Sequence, residues 1–208
     1  MEYPKINSLW KRDIDTNAII EGKYSCPEFE SQSKWRVQEK IDGTNVRIYL
    51  NDGSVAHAWV EFKGRTNKAV LPDKLIKFLS TIDFSEYHGS GPRVLFGEGF
   101  GAGIQSGGIY RPDISFILFD VYRFGKWAPR EEVLDVSFLL GLETPHDYGL
   151  MTTEEIISFV KSEPHGNYGN KKYITEGIIA RSEPLVRFNT LSANPVMWKL
   201  KVKDFNKK

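Results

Sequence analysis

The chain has 208 residues, 40% of them apolar and 26% charged, and its 28 Lys and Arg against 27 Asp and Glu leave a formal net charge of +1. That composition suits one large soluble domain or two small ones, and near-neutrality excludes whole-molecule attraction to nucleic acid, so any such contact must come from a local basic patch. The single cysteine, Cys26, excludes an intrachain disulfide framework; with no signal core and no run long enough to span a bilayer, a soluble, cytoplasmic protein is expected, with no membrane partner.

Taken in chain order, "WRVQEK" (35–40) and "VRIYL" (46–50) alternate as strands and flank the charged interruption Lys40-Ile41-Asp42-Gly43-Thr44-Asn45. Asn51-Asp52-Gly53 is a hairpin signal, with "VAHAWVEF" (55–62) as the returning strand. "LPDKLIKFLSTI" (71–82) reads as a short amphipathic helix, and "RVLFGEGF" (93–100) and "ISFILFDVYRF" (114–124) as buried strands. Pro129 opens a helix over "REEVLDVSFLLGL" that Gly141 is placed to end. Thr152 and Glu155 form a capping box before "IISFVK", and "KYITEGIIAR" (172–181) and "VMWKLKVKDF" (196–205) close the chain as strands. There is no repeat, low-complexity tract or linker, so a single domain over 1–208 is expected. The fold class is α+β, with mostly antiparallel sheets flanked by helices.

Several motifs fail on inspection. "DIDTNA" (13–18) begins like a calcium loop, but Ala18 stands where the sharp turn needs glycine and Tyr24 where a bidentate glutamate is needed. "GEGFGA" (97–102) matches a relaxed dinucleotide fingerprint without a following helix or a βαβ unit. The four histidines, His57, His88, His146 and His165, have no metal-ligand spacing, and Cys26 reads as a lone thiol.

What remains is the interruption at 40–45. A lysine can be a covalent nucleophile only when its amine is neutral. With an ordinary pKa of about 10.4, roughly one in a thousand is neutral near pH 7.4, and shifting that by about 3 units takes roughly 4 kcal/mol. Neighbouring cations would supply it, and the same cations would stabilise phosphate oxygens. Taken alone, the tetrapeptide also fits a lysine snorkelling from a hairpin beside an Asp-Gly turn.

Lys40-Ile41-Asp42-Gly43-Thr44-Asn45 resembles motif I of the covalent nucleotidyltransferases, the superfamily of DNA ligases, RNA ligases and mRNA capping enzymes. Further motifs follow in the family's order. "FKGRTNKAVLPD" resembles motif Ia with Arg65, "FGEGFGAGIQ" motif III with Glu98, and "FILFD" motif IIIa with Phe119 and Asp120. "EGIIAR" resembles motif IV with Glu176, and "WKLKVKDF" motif V with Lys199 and Lys201. The resemblance runs from Trp35 to Phe205. Asn45, where DNA ligases and capping enzymes usually carry arginine, makes the pattern similar to the RNA ligase 2 type.

The resemblance implies a nucleotidyltransferase fold with an ATP cleft between its sheets, and ATP and Mg²⁺ (or Mn²⁺) as cofactors. Lys40 would attack the α-phosphorus of ATP and hold AMP. Lys199 and Lys201, two apart on a strand and so on one face, would grip the α-phosphate. Asp42, Glu98 and Glu176 would hold the ion through water. The backbone at Glu39, Lys40 and Ile41 would read the adenine edge, and Phe119, by default a core residue at a strand end, would stack on adenine. Asn45 and Arg65 would contact ribose or the RNA end, while Gly43 and Asp120 support the site, Asp120 by positioning a neighbouring cation. The implied activity is RNA ligation, moving AMP to a 5′-phosphate RNA end and sealing it to a 3′-hydroxyl, in RNA repair. A DNA nick ligase, a capping-type guanylyltransferase and a non-catalytic, nucleotide-responsive RNA-binding module are the alternatives. With the pattern ending at Phe205, a single nucleotidyltransferase domain is expected, without the barrel or helical C-terminal domain such enzymes carry. An accessory protein for substrate grip is therefore a further partner to consider.

Overall fold

The computed structural model describes all residues except 52–58, 88–90, 170–171, 191–192 and 207–208. The elements run β1 (Asn7–Ser8), β2 (Trp10–Arg12), β3 (Ile19–Tyr24), β4 (Trp35–Lys40), β5 (Thr44–Asn51), β6 (Trp59–Gly64) and α1 (Asp73–Leu79). Then come β7 (Arg93–Phe100), β8 (Ser115–Arg123), β9 (Lys126–Trp127), α2 (Arg130–Leu139), β10 (Asp147–Met151), α3 (Thr153–Lys161), β11 (Gly177–Ser182) and β12 (Met197–Lys201). The class is α+β, as expected; of the strand pairs, only β1 with β12 is parallel among the described residues. Most of the Asn51-Asp52-Gly53 turn, and 55–58 of its returning strand, fall outside the described residues. No helix among the described residues is long and apolar enough to cross a membrane.

The chain packs as two compact units, the first comprising Met1–Tyr3, Asp42–Pro145 and Tyr168–Lys171, and the second the remainder. In the first, a five-stranded sheet runs β6-β5-β7-β8-β9, antiparallel throughout. One face buries Val46, Ile48, Leu95 and Leu118 against Leu75 and Leu79 of α1 and Val133 and Val136 of α2. Full burial of each such side chain stabilises by about 1.5–3 kcal/mol. Gly141, at φ 61°, follows the α2 cap and takes the left-handed conformation that ends it.

In the second unit the order is β1-β12-β11-β4-β10, beside a β2-β3 hairpin. Its core centres on Trp35 and Trp198, fully buried with rings edge-on at 5.5 Å, and on Ile156 and Val160 of α3. The capping box of α3 is present, Thr152 Oγ1 accepting from Glu155 N–H and Glu155 from Thr152 N–H. The rejected calcium loop is a tight turn between β2 and β3. Asp13 Oδ1 accepts from the N–H groups of Asp15 and Thr16.

Two strands differ from expectation. The strand predicted from Lys172 begins at Gly177, because Tyr173 and Thr175 are drawn to Glu39 and to the carbonyl of Pro164. The strand predicted to Phe205 ends at Lys201. There Asp204 accepts from Lys201 N–H and pairs with Arg12, curling Val202–Asp204 into a 3₁₀ turn.

Candidate active site

Strand register in the second unit builds the centre of the site. Lys40 at the end of β4 lies opposite Gly177, and Gly177 lies opposite Lys201 at the end of β12. Glu176, the residue before Gly177, therefore sits between two lysines. Its Oε2 is 2.5 Å from Lys40 Nζ and its Oε1 is 2.5 Å from Lys201 Nζ. The three side chains are only 15–21% exposed, so the attraction is less screened than in a surface pair. Two ammonium groups on one carboxylate leave a surplus positive charge, and Lys199 lies on the same face of β12 as Lys201. Lys40 Nζ also lies 3.4 Å from the carbonyl of Ile41, whose side chain is buried.

Gly177 makes this register achievable. Its φ is 151°, and a Cβ there would lie 2.1 Å from the Leu200 carbonyl oxygen. No other residue allows β11 so close to β12 at the point where Glu176 must enter.

Beneath Lys40, the Glu39 side chain is 2% exposed. Oε1 accepts from Tyr173 Oη at 2.8 Å; Oε2 accepts from Asn167 N–H at 3.0 Å, Asn167 Nδ2 at 3.1 Å and Tyr148 Oη at 3.3 Å. The Glu39 backbone N–H is engaged by the His146 carbonyl. Burial first, then the Glu39 carboxylate, pushes the Tyr148 phenol well above its ordinary range. A raised folded-state value means the unfolded chain releases this proton first, so the contribution is complete below about pH 10 and is lost as pH rises above it. Tyr148→Phe is accordingly expected to flatten the alkaline fall in stability, measured as urea midpoints from pH 8.5 to 11.

In the first unit the Asp42-Gly43 turn packs onto β7. Asp42 N–H donates to Tyr110 Oη at 3.0 Å, and a Cβ on Gly43 would lie 2.3 Å from the Gly99 carbonyl oxygen and 2.9 Å from Glu98 Cγ. Asn45 is the register partner of Glu98 across β5 and β7, and its Oδ1 is buried without a hydrogen-bond partner. Among the described residues, no three His, Cys, Asp or Glu side chains converge to hold a metal directly. Asp42 and Glu98, half-buried oxygen donors, fit contact to a hydrated Mg²⁺ through water.

Phe119 is not at a strand end. It lies mid-β8, where Asp120 pairs with Phe96 but Leu118 with Gly97, so Phe119 is the extra residue of a bulge. The bulge leaves it half-buried between buried neighbours, with Tyr3 edge-on at 5.0 Å. Asp120 accepts a hydrogen bond from the Tyr3 hydroxyl.

Arg65 is exposed, but its segment is fixed by a residue that sequence patterning missed. Arg47 is fully buried, donating to Gly64 O at 2.6 Å and Asn67 Oδ1 at 3.0 Å on either side of Arg65, and to Met1 O at 2.8 Å. A charged residue inside an alternating strand was the available signal.

The RNA ligase family matches residues 33–199. The chain belongs to the RNA ligase family. Among curated proteins, none matches the sequence. Solved RNA ligases share the fold. An archaeal ATP-dependent RNA ligase is 18% identical with a TM-score of 0.62, covering 98% of this chain and 48% of its own. The Naegleria gruberi RNA ligase with PPi is 16% identical with a TM-score of 0.53, covering 96% and 61%. A mutant of that ligase with ATP and Mn is 15% identical with a TM-score of 0.51, covering 97% and 64%. The chain thus spans about half the length of the archaeal ligase and under two thirds of the Naegleria ligase chains.

Proposed function

We propose that this RNA ligase family member is an ATP-dependent RNA ligase working through AMP bound covalently to Lys40. The observation that carries the reading is the Glu176 carboxylate shared by Lys40 and Lys201. It aims the amine, offers an acceptor 2.5 Å away for the proton that must leave, and keeps a second cation beside the reacting phosphate.

Lys40 Nζ forms a bond to the α-phosphorus of ATP as the bond to the β-phosphate oxygen breaks. Pyrophosphate departs and the nitrogen loses its proton. A 5′-phosphate oxygen of RNA then takes the adenylyl group and Lys40 regains a proton. Finally a 3′-hydroxyl attacks the activated 5′-phosphate, a phosphodiester forms and AMP leaves. Lys199 and Lys201 counter the charge on the α-phosphate, Phe119 offers an aromatic face to adenine, and the unpartnered Asn45 Oδ1 suits a ribose hydroxyl. Arg65 presents a planar donor fork for an RNA end. A divalent ion bound through water by Asp42 and Glu98 would supply charge neutralisation at the phosphates. Solved Naegleria structures hold ATP with Mn, which supports Mg²⁺ or Mn²⁺ as the ion.

The test is incubation with labelled ATP or GTP and Mg²⁺ or Mn²⁺, followed by mapping of the adduct. One acid-labile AMP on the peptide containing Lys40 is expected, with none from GTP. An adduct on another lysine, a GMP adduct or no adduct would overturn the assignment.

A further inference from the structure

The second unit holds a basic pocket that extends beyond the two lysines adenylylation uses, Lys199 and Lys201. It has a volume of about 450 Å³ and is lined by six basic side chains, Lys5, Lys11, Arg12, Lys199, Lys201 and Lys203, against one acid, Asp204. Its far wall is the N-terminal segment. There β1 runs parallel to β12, Ser8 aligning with Lys199 and Leu9 N–H donating to the Lys199 carbonyl at 3.0 Å.

The wall is fastened by Arg12. Its guanidinium reaches both oxygens of Asp204 at 2.9 Å, Ser8 Oγ at 3.1–3.2 Å and the Asn17 carbonyl at 3.0 Å. Asp204 is thereby neutralised by Arg12, and Lys201 shares the Glu176 carboxylate with Lys40. Lys5, Lys11 and Lys203 are exposed and make no ion pair among the described residues. Like charges gathered on a fixed frame without counter-charges attract a polyanion.

Two features identify which polyanion. Lys201 belongs both to the pocket and to the Glu176 bridge, so one wall residue of the pocket is shared with the nucleophile's ion pair. The three unpaired lysines are spread over the N-terminal segment and the C-terminal turn, an arrangement suited to successive phosphates rather than to one compact group. Lys5, Lys11, Arg12, Lys201 and Lys203 all lie outside residues 33–199, the span the family matches.

We propose that this pocket grips the phosphodiester backbone of the RNA strand presented to Lys40. The proposal rests on the RNA ligase reading above.

The experiment uses the full chain, a 3′-labelled, 5′-phosphorylated single-stranded RNA and the double variant Lys5→Glu/Lys11→Glu. RNA affinity is read across a salt series and AMP adduct formation in parallel. The variant should bind RNA at least tenfold more weakly at moderate salt. The slope of log affinity against log salt should shallow by about 1.4, roughly 0.7 per lost phosphate contact on a single strand. Adduct formation should stay within twofold and the melting temperature unchanged. Lys5→Arg/Lys11→Arg should restore binding. Unchanged RNA affinity with a raised KM for ATP would assign the pocket to the nucleotide's phosphates, and no change in either would make it a solvated surface; both overturn the proposal. If the wild-type chain forms no adduct, the Lys40 reading fails, while the salt slopes still report on the pocket.

Discussion

Lys40→Arg is expected to eliminate the covalent AMP adduct, a loss of at least roughly 10⁴-fold in adduct formation, as removal of a nucleophile generally produces. Arginine keeps the positive charge beside Glu176, so the ion pair and the local fold survive. A guanidinium, however, is not deprotonated in proteins and offers no lone pair to phosphorus. Lys40→Ala should lose the adduct equally but should also leave Glu176 with a single cation, Lys201. The two variants separate charge from nucleophilicity. If Lys40→Arg retained measurable adduct, the amine would not be the attacking atom. The joining of pre-adenylated RNA gives a second readout. In that step Lys40 is no longer the nucleophile, so Lys40→Arg should depress it far less than adduct formation. An equal loss in both assays would mean that position 40 organises the whole site rather than attacking.

Much of this arrangement was legible in the sequence where local pattern decides structure. "RVLFGEGF" coincides with β7, Pro129 and Gly141 bracket α2, and the capping box at Thr152 is present. Lys40, Glu176 and Lys201 were selected by family resemblance, and the register of three strands gives two of those choices a physical partner in Glu176. What periodicity does not encode is which strands become neighbours. The order β1-β12-β11-β4-β10 joins the two ends of the chain, so the parallel pairing of β1 and the basic pocket behind it were invisible. The bulge at Phe119 depends on a mismatch with β7, which the sequence of β8 alone does not reveal. Alternation places Arg47 with Tyr49 on the face of β5 opposite Val46, Ile48 and Leu50, where burial is not expected of a charged residue. It is buried there because the Met1 and Gly64 carbonyls, Asn67 Oδ1 and Tyr49 Oη give its guanidinium four neutral acceptors.

Glu176→Gln is expected to slow adduct formation by about 10²–10⁴-fold, the range for loss of a positioned proton acceptor. The carboxamide is nearly isosteric and its oxygen can still accept from one lysine, but its NH₂ end meets the other lysine as a second donor. One of the two 2.5 Å contacts must therefore open, and the bridge that aims Lys40 is lost along with the acceptor. The effect should fall on kcat rather than on the KM for ATP. Removing a negative charge from between Lys40 and Lys201 increases the field that attracts phosphate, so nucleotide binding should be unchanged or tighter. Raising the pH should recover part of the rate in Glu176→Gln, since hydroxide and solvent can take the proton that the carboxylate no longer accepts. A variant with raised KM, unchanged kcat and no altered pH profile would place Glu176 in ground-state contact with nucleotide. The shared carboxylate would then be a resting-state ion pair that the reaction does not use.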